Sequence, residues 1–92
     1  MSVTLRFFAR FGELLGNSRE IDISEDTSLA DLVREVAGTS SEGYQAIFNE
    51  AGSFHRYVIL MRNRKRIQSQ DAETTIIADG DEIAVFPPVA GG

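Results

Sequence analysis

The most strongly patterned stretch of this sequence is residues 28–37. Thr27 or Ser28 can cap a helix N-terminus with its hydroxyl, and Gly38 is a typical residue just past a helix end. The apolar residues recur at i, i+3, i+4, i+7 and i+8, which is one face of a helix; they are Leu29, Leu32, Val33, Val36 and Ala37. This apolar face has to be buried, and the rest of the sequence offers only a β-sheet on which to bury it.

Shorter apolar runs predict the strands of that sheet. Residues 2–8 and 19–23 alternate between apolar and polar, as in strands buried mainly on one face. Residues 82–86 predict the last strand, with Ile83 and Val85 on one face and Ala84 and Phe86 on the other. The continuous apolar run 57–61 predicts a strand buried on both faces. Ile67 anchors a short edge strand, whose neighbouring charges oppose aggregation.

The connections are less regular. Residues 9–15 place apolar side chains at helical spacing and predict one helical turn between the first two strands. A short second helix is expected after Ser40 and Ser41, with Gly52 ending it. The basic run 62–66 is expected to turn the chain at a charged hairpin tip.

Near the C-terminus, Ile76 and Ile77 are both expected to pack, and the acidic segment 79–81 predicts a turn with glycine at its centre. The last strand follows a helical crossover, so it should lie parallel to the first strand at the centre of a mixed sheet. The predicted class is α+β: about five strands packed on one main helix. Residues 1–86 are expected to form a single domain, with 87–92 as a flexible, protruding tail.

Composition excludes several kinds of chemistry. The chain has no cysteine and one histidine, so neither a catalytic triad nor a histidine and thiolate metal site can be assembled; no internal catalytic residue and no bound metal are expected. A net charge of −5 disfavours nucleic-acid binding. Arg6 and Arg10 interrupt the N-terminal apolar stretch before it reaches signal-peptide length, so neither membrane association nor export is expected and the location should be cytoplasmic.

Individual polar residues have ordinary structural interpretations. His55 is expected to be a solvated loop residue or the lead-in to a strand. Asp79, Asp81 and Glu82 lack the ligand spacing of a calcium loop, so a solvated turn is expected. Lys65 is the only lysine, so any chain that the protein built on itself through a lysine would have to use it.

The C-terminal heptapeptide is the best candidate for function. Pro87 and Pro88 stiffen an extended stalk, while Gly91 and Gly92 can enter a slot too narrow for any side chain. The terminal carboxylate is ionised at neutral pH and could attack phosphorus. Ala84 and Phe86 are expected to be exposed on the open sheet face, where Thr4 and parts of 57–61 would extend an apolar partner surface.

Two segments carry a family resemblance. The order of elements and the stretch Asp79-Gly80-Asp81-Glu82-Ile83-Ala84-Val85-Phe86-Pro87-Pro88-Val89-Ala90-Gly91-Gly92 resemble the ubiquitin-like sulfur carriers, which include the ThiS-like proteins, the small subunit of molybdopterin synthase and the archaeal small modifiers. Phe7-Ala9-Arg10 and Glu13-Leu14 add to the likeness, and the long segment 41–56 is more like the archaeal modifiers. The resemblance implies a β-grasp (ubiquitin-like) fold.

The resemblance also implies how such a protein works. A ubiquitin-activating-type enzyme, related to MoeB and ThiF, would adenylate the Gly92 carboxylate with ATP and magnesium, and sulfur transfer would give a thiocarboxylate. In the molybdopterin role, the tail, with Gly91, Ala90 and Val89 beside Gly92, inserts into the synthase large subunit and donates sulfur to a pterin precursor. In the modifier role, Gly92 instead forms an isopeptide with a target lysine. Both remain open, and in both the chain is a carried substrate that binds no cofactor.

Overall fold

A computed structural model describes residues 1–88. The predictions for Val89, Ala90, Gly91 and Gly92 therefore lie outside the described residues. The elements in chain order are β1 (Ser2–Phe7), α1 (Arg10–Leu15), β2 (Ser18–Asp22), α2 (Leu29–Ala37), α3 (Ser41–Ile47), β3 (Ile59–Arg62), β4 (Lys65–Ile67), α4 (Ser69–Ala72) and β5 (Glu82–Phe86). Within 1–88, no helix is long and apolar enough to cross a bilayer.

The five strands form one mixed sheet in the order β2-β1-β5-β3-β4. β1 pairs with β5 in parallel, and the other three pairs are antiparallel. The last strand therefore lies at the centre of the sheet, parallel to the first, which confirms both predictions. The chain therefore leaves the sheet at Phe86 from its central strand, which is hydrogen-bonded on both sides.

The core lies between the sheet and α2, as the helical pattern predicted. Ser28 is the N-cap, and its hydroxyl accepts a hydrogen bond from the backbone N–H of Asp31 at 3.1 Å. The fully buried side chains come from α2, from the inward positions of β1, β3 and β5, and from the end of α3; the largest are Phe7, Phe48, Leu5, Leu29, Leu32, Ile47, Leu60, Ile77, Ile83, Val3, Val33 and Val85. The opposite side of the sheet, here called the open face, carries none of these residues.

The strand prediction at 57–61 is wrong at its start and in its burial. Tyr57 has φ 74°, is 67% exposed, and lies before β3 begins at Ile59. Ile59 already pairs with Phe86, and the next potential partner is Pro87, which has no N–H to donate. Leu60 is buried while its neighbours Ile59 and Met61 are half-buried, because no layer covers the open face.

Three other predictions need correction. Ile77 is buried, but Ile76 is 47% exposed, since successive residues of an extended segment point in opposite directions. The second helix, α3, ends at Ile47, well before Gly52. α4 was not predicted, because its four residues contain only one apolar side chain, Ala72, and so show no periodicity.

The hairpin between β3 and β4 turns at two residues rather than across the whole basic run. Asn63 and Arg64 have φ 50° and 69°, the left-handed values of the tight turn that matches the twist of paired strands. Lys65 and Arg66 already belong to β4, at the edge of the sheet. The basic residues are therefore divided between a turn and an exposed edge.

Candidate functional site

An apolar surface lies on the open face where the chain leaves β5. A cavity of about 590 Å³ is lined by Phe8, Ala9, Ile59, Met61, Phe86, Pro87 and Pro88, here called the tail-base surface. Pairing within the sheet assembles it, because Phe86 lies opposite Ile59, while Ala84, two residues earlier on the same face, lies opposite Met61. Three separate segments thus meet at the foot of the C-terminal tail.

Phe8 and Phe86 form the aromatic centre of this surface. Their ring centroids are 4.2 Å apart and their planes differ by 12°. The backbone N–H of Phe8 donates to the carbonyl of Val85 at 3.1 Å, which continues the β1–β5 ladder one residue past the end of β1. The guanidinium carbon of Arg6 lies 5.0 Å from the Phe8 ring centroid. Phe86 therefore has a fixed aromatic neighbour, Phe8, and that neighbour has a cation beside its ring.

Ala9 turns the chain sharply after Phe8. Its φ of 51° and ψ of −131° lie in a region that normally only glycine occupies. α1 begins at the next residue, and the backbone N–H of Phe11 donates to the Phe8 carbonyl at 3.1 Å. Backbone strain at a non-glycine residue is concentrated at functional positions, and here it lies within the tail-base surface.

Sequence reasoning identified this surface only in part. Phe86 and two residues of 57–61, Ile59 and Met61, line it as predicted, and Pro87 and Pro88, which were predicted as a stiff stalk, line it too. Thr4 does not line it, because it pairs with Glu82 farther from the tail. Ala84 was expected to be exposed and is 8% exposed, since its small side chain lies in register between Arg6 and Met61.

Phe8 was missed as a functional residue. Its sequence signal is the alternation of β1, which places Thr4, Arg6 and Phe8 on one face when it is carried one step further.

The opposite end of β5 is polar, and here the prediction of a solvated turn is wrong for Asp81, although Asp79 and Gly80 are exposed. Asp81 is only 7% exposed. Its carboxylate accepts hydrogen bonds from Arg62 Nε, Asn63 Nδ2 and the backbone N–H of Ala78, each at 2.8 Å. Asn63 Oδ1 in turn accepts from the backbone N–H of Glu82 at 2.8 Å. These residues, the Asp81 cluster, join the β3–β4 turn to the start of β5.

The environment of Asp81 shifts its titration. Burial by itself would raise the pKa of this carboxyl, but the hydrogen bonds from Ala78, Asn63 and Arg62 outweigh it and hold the pKa below the ordinary value of 3.8. Asp81 is consequently ionised at neutral pH and acts as a structural anchor. Among residues 1–88, no group of histidine, aspartate and glutamate side chains is arranged to hold a metal ion.

The remaining candidates lie away from the tail-base surface. His55 is an exposed loop residue, as predicted, and its Nε2 is 2.8 Å from the carbonyl of Gln45. Lys65 is exposed on β4 and pairs with Arg62, at the end of the sheet far from the tail. Neither residue is among those that line the tail-base surface.

Fold and site together define a small ubiquitin-like β-grasp protein with an open apolar face beside a C-terminal Gly-Gly. The chain belongs to the ThiS family, whose model matches residues 5–92.

Known relatives cover almost the whole chain. Small archaeal modifier protein 3 of Haloferax volcanii is 33% identical, with 100% of both chains covered. The molybdopterin synthase sulfur carrier subunit of Aedes aegypti is 38% identical over 98% of this chain and 88% of its own. The crystal structure of SAMP1 from Haloferax volcanii has a TM-score of 0.85 and 26% identity, with both chains fully covered. The family thus includes both sulfur carriers and protein modifiers.

Proposed function

We propose that this chain is a sulfur carrier that delivers sulfur in molybdopterin biosynthesis as the small subunit of the synthase. The observation that supports the proposal is the tail-base surface, an apolar cavity that includes Phe86, Pro87 and Pro88, the residues that precede the C-terminal Val89-Ala90-Gly91-Gly92 in the sequence. The kinship with a molybdopterin synthase sulfur carrier subunit supports the same function. The chain is the carried substrate, and catalysis belongs to its partners.

Two chemical steps would load the tail. A carboxylate oxygen of Gly92 attacks the α-phosphorus of ATP, whose charge magnesium offsets, and pyrophosphate leaves. The acyl-adenylate then carries AMP as a good leaving group on an otherwise inert carboxyl carbon. Hydrosulfide, as the sulfur donor, attacks the acyl carbon and AMP leaves, so that a C–S bond replaces the C–O bond and a thiocarboxylate results without any change of oxidation state. ATP and magnesium are used by the adenylating enzyme, and this chain retains neither.

The fold contributes docking and reach. Phe86, stacked on Phe8, is an aromatic anchor of the kind that dominates interface energies. Six residues, from Pro87 to Gly92, follow it, and a fully extended chain of that length spans at most about 20 Å. The reactive centres of the adenylating enzyme and of the synthase large subunit should therefore lie within about that distance of the surface on which Phe86 docks.

Intact mass spectrometry tests sulfur loading. The protein is incubated with the ubiquitin-activating-type enzyme of the same organism, ATP, magnesium and a sulfur donor. We expect the mass gain of one oxygen-to-sulfur exchange at the C-terminus. A matched variant with one alanine added after Gly92 should gain nothing, because its new terminus carries a side chain. An unchanged mass for the wild-type protein would contradict the proposal.

A second function is conjugation to proteins, favoured by the full-length match to an archaeal modifier. The same acyl-adenylate would then pass to a lysine amine, which forms an isopeptide as AMP leaves. Arg66 is the last trypsin site before the C-terminus, so a protease that cuts after glutamate is better suited. Cleavage after Glu82 would leave residues 83–92 on the acceptor lysine as a detectable remnant.

Conjugates on other proteins should disappear when Gly92 is deleted, whereas Lys65→Arg should remove only chains of this protein on itself. If cells contain no lysine with the 83–92 remnant, the modifier function is excluded.

A further inference from the structure

Two arginines lie on either side of the tail-base surface. Arg6 of β1 pairs with Ala84, Ala84 pairs with Met61, and Met61 pairs with Arg66 of β4. Residues that are paired across a sheet share a face. Both arginines therefore project from the open face, on either side of the apolar pair formed by Ala84 and Met61. Ser18 of β2 continues the row beyond Arg6.

Both arginine side chains are available to a partner. Arg6 and Arg66 are exposed, and no ion pair within residues 1–88 involves either of them. Arg6 contacts the Phe8 ring, which leaves its hydrogen-bond donors unused by that contact. In a chain of net charge −5, the positive charge on this face is thus concentrated around the apolar surface rather than spread at random.

The next row of the open face, farther from the tail, has the opposite sign. Thr4 pairs with Glu20 on one side and with Glu82 on the other. The face is therefore basic beside the tail and acidic away from it. A partner turned by half a revolution would meet like charges, so this polarity can select the orientation that brings the tail to a reactive centre.

We propose that Arg6 and Arg66 recognise carboxylates that flank an apolar patch on the adenylating enzyme, and that they orient the chain there. This inference rests on the proposed function and names the chemistry of the partner surface. Rim charges of this kind act mainly on the rate and salt dependence of association, while the buried apolar anchors hold the complex together.

The test is ATP–pyrophosphate exchange by the adenylating enzyme of the same organism, at low and at high salt. At low salt we expect KM for the chain to rise about three-fold for Arg6→Gln or Arg66→Gln and about ten-fold for both, with kcat unchanged. Arg6→Lys and Arg66→Lys keep the charge and should retain most of the wild-type KM. High salt should largely abolish the differences, because the charges are then screened.

Arg19→Gln is the matched control. Arg19 is also exposed on the sheet and the substitution changes the net charge equally, but Arg19 pairs with Leu5 and so lies on the opposite face. A KM for Arg19→Gln as high as that of Arg6→Gln or Arg66→Gln would overturn the inference, as would an effect that persists at high salt. A wild-type chain that supports no exchange would overturn the proposed function, and this inference with it.

Discussion

The two ends of β5 differ in whether their side chains find partners within this chain. At the start of the strand, Asp81 is buried and its carboxylate is hydrogen-bonded by three groups of the same chain. At its end, Phe86 is only half-buried and lies beside an apolar cavity. The first end is complete within the chain, whereas the second leaves an apolar surface open. One strand thus connects a structural anchor to the proposed docking surface.

The largest expected effect is a loss of affinity on substitution at the Phe86 end of β5. Phe86→Ala removes the aromatic anchor and its stacking on Phe8, and should weaken binding to the adenylating enzyme by about 2–4 kcal/mol. Tyr57→Ala is the matched control, because Tyr57 is exposed but does not line the tail-base surface. Titration calorimetry with the enzyme measures both. Equal losses would mean that Phe86 has no special role.

The next largest expected effect is a loss of stability on substitution at the Asp81 end of β5. Asp81→Ala leaves Arg62, Asn63 and the Ala78 N–H without their acceptor, and should lower the free energy of unfolding by about 2–3 kcal/mol. Affinity for the enzyme should change little, because the substitution lies at the far end of the strand.

Urea unfolding gives the stability, and Asp22→Ala, at an exposed carboxylate on β2, is the control. A loss of affinity as large as that of Phe86→Ala would contradict the separation of the two ends.

The smallest expected effect is on how the free energy of unfolding depends on pH. The pKa of Asp81 is lowered in the folded state, so its contribution is fully present above the unfolded value of 3.8 and is lost as the pH falls through the lower, folded pKa. Urea unfolding between about pH 5 and pH 2 should therefore show an acid loss that is shallower in Asp81→Asn. Identical pH slopes for the two proteins would show that Asp81 does not contribute to acid sensitivity.

The difference between the ends also explains what sequence reasoning could find. The central position of β5 and the burial face of α2 follow from periodicity and connection rules, and both predictions are confirmed. The Asp81 cluster could not be predicted, because Asp81 meets Arg62 and Asn63 only through the β3–β5 pairing. In the sequence alone, an aspartate in a glycine turn looks solvated.

The tail-base surface was found only in part for a related reason. Phe86 and parts of 57–61 were predicted to form it, whereas Phe8 was missed because it reaches the surface through the continuation of the β1–β5 ladder past the end of β1. The exposure of a side chain also depends on its neighbours. Ala84 lies on the open face by strand alternation, yet the longer side chains of Arg6 and Met61 on either side bury it. Periodicity assigns a residue to a face but does not give its exposure.

The parallel pairing of β1 and β5 has a mechanical consequence. A force that draws the C-terminal segment away from a held N-terminus pulls these two strands in opposite directions along their length. Their hydrogen bonds are then loaded together in shear, rather than opened one after another, and β3 supports β5 from its other side. The domain should therefore remain folded when another protein pulls on its C-terminal end while the N-terminus is held.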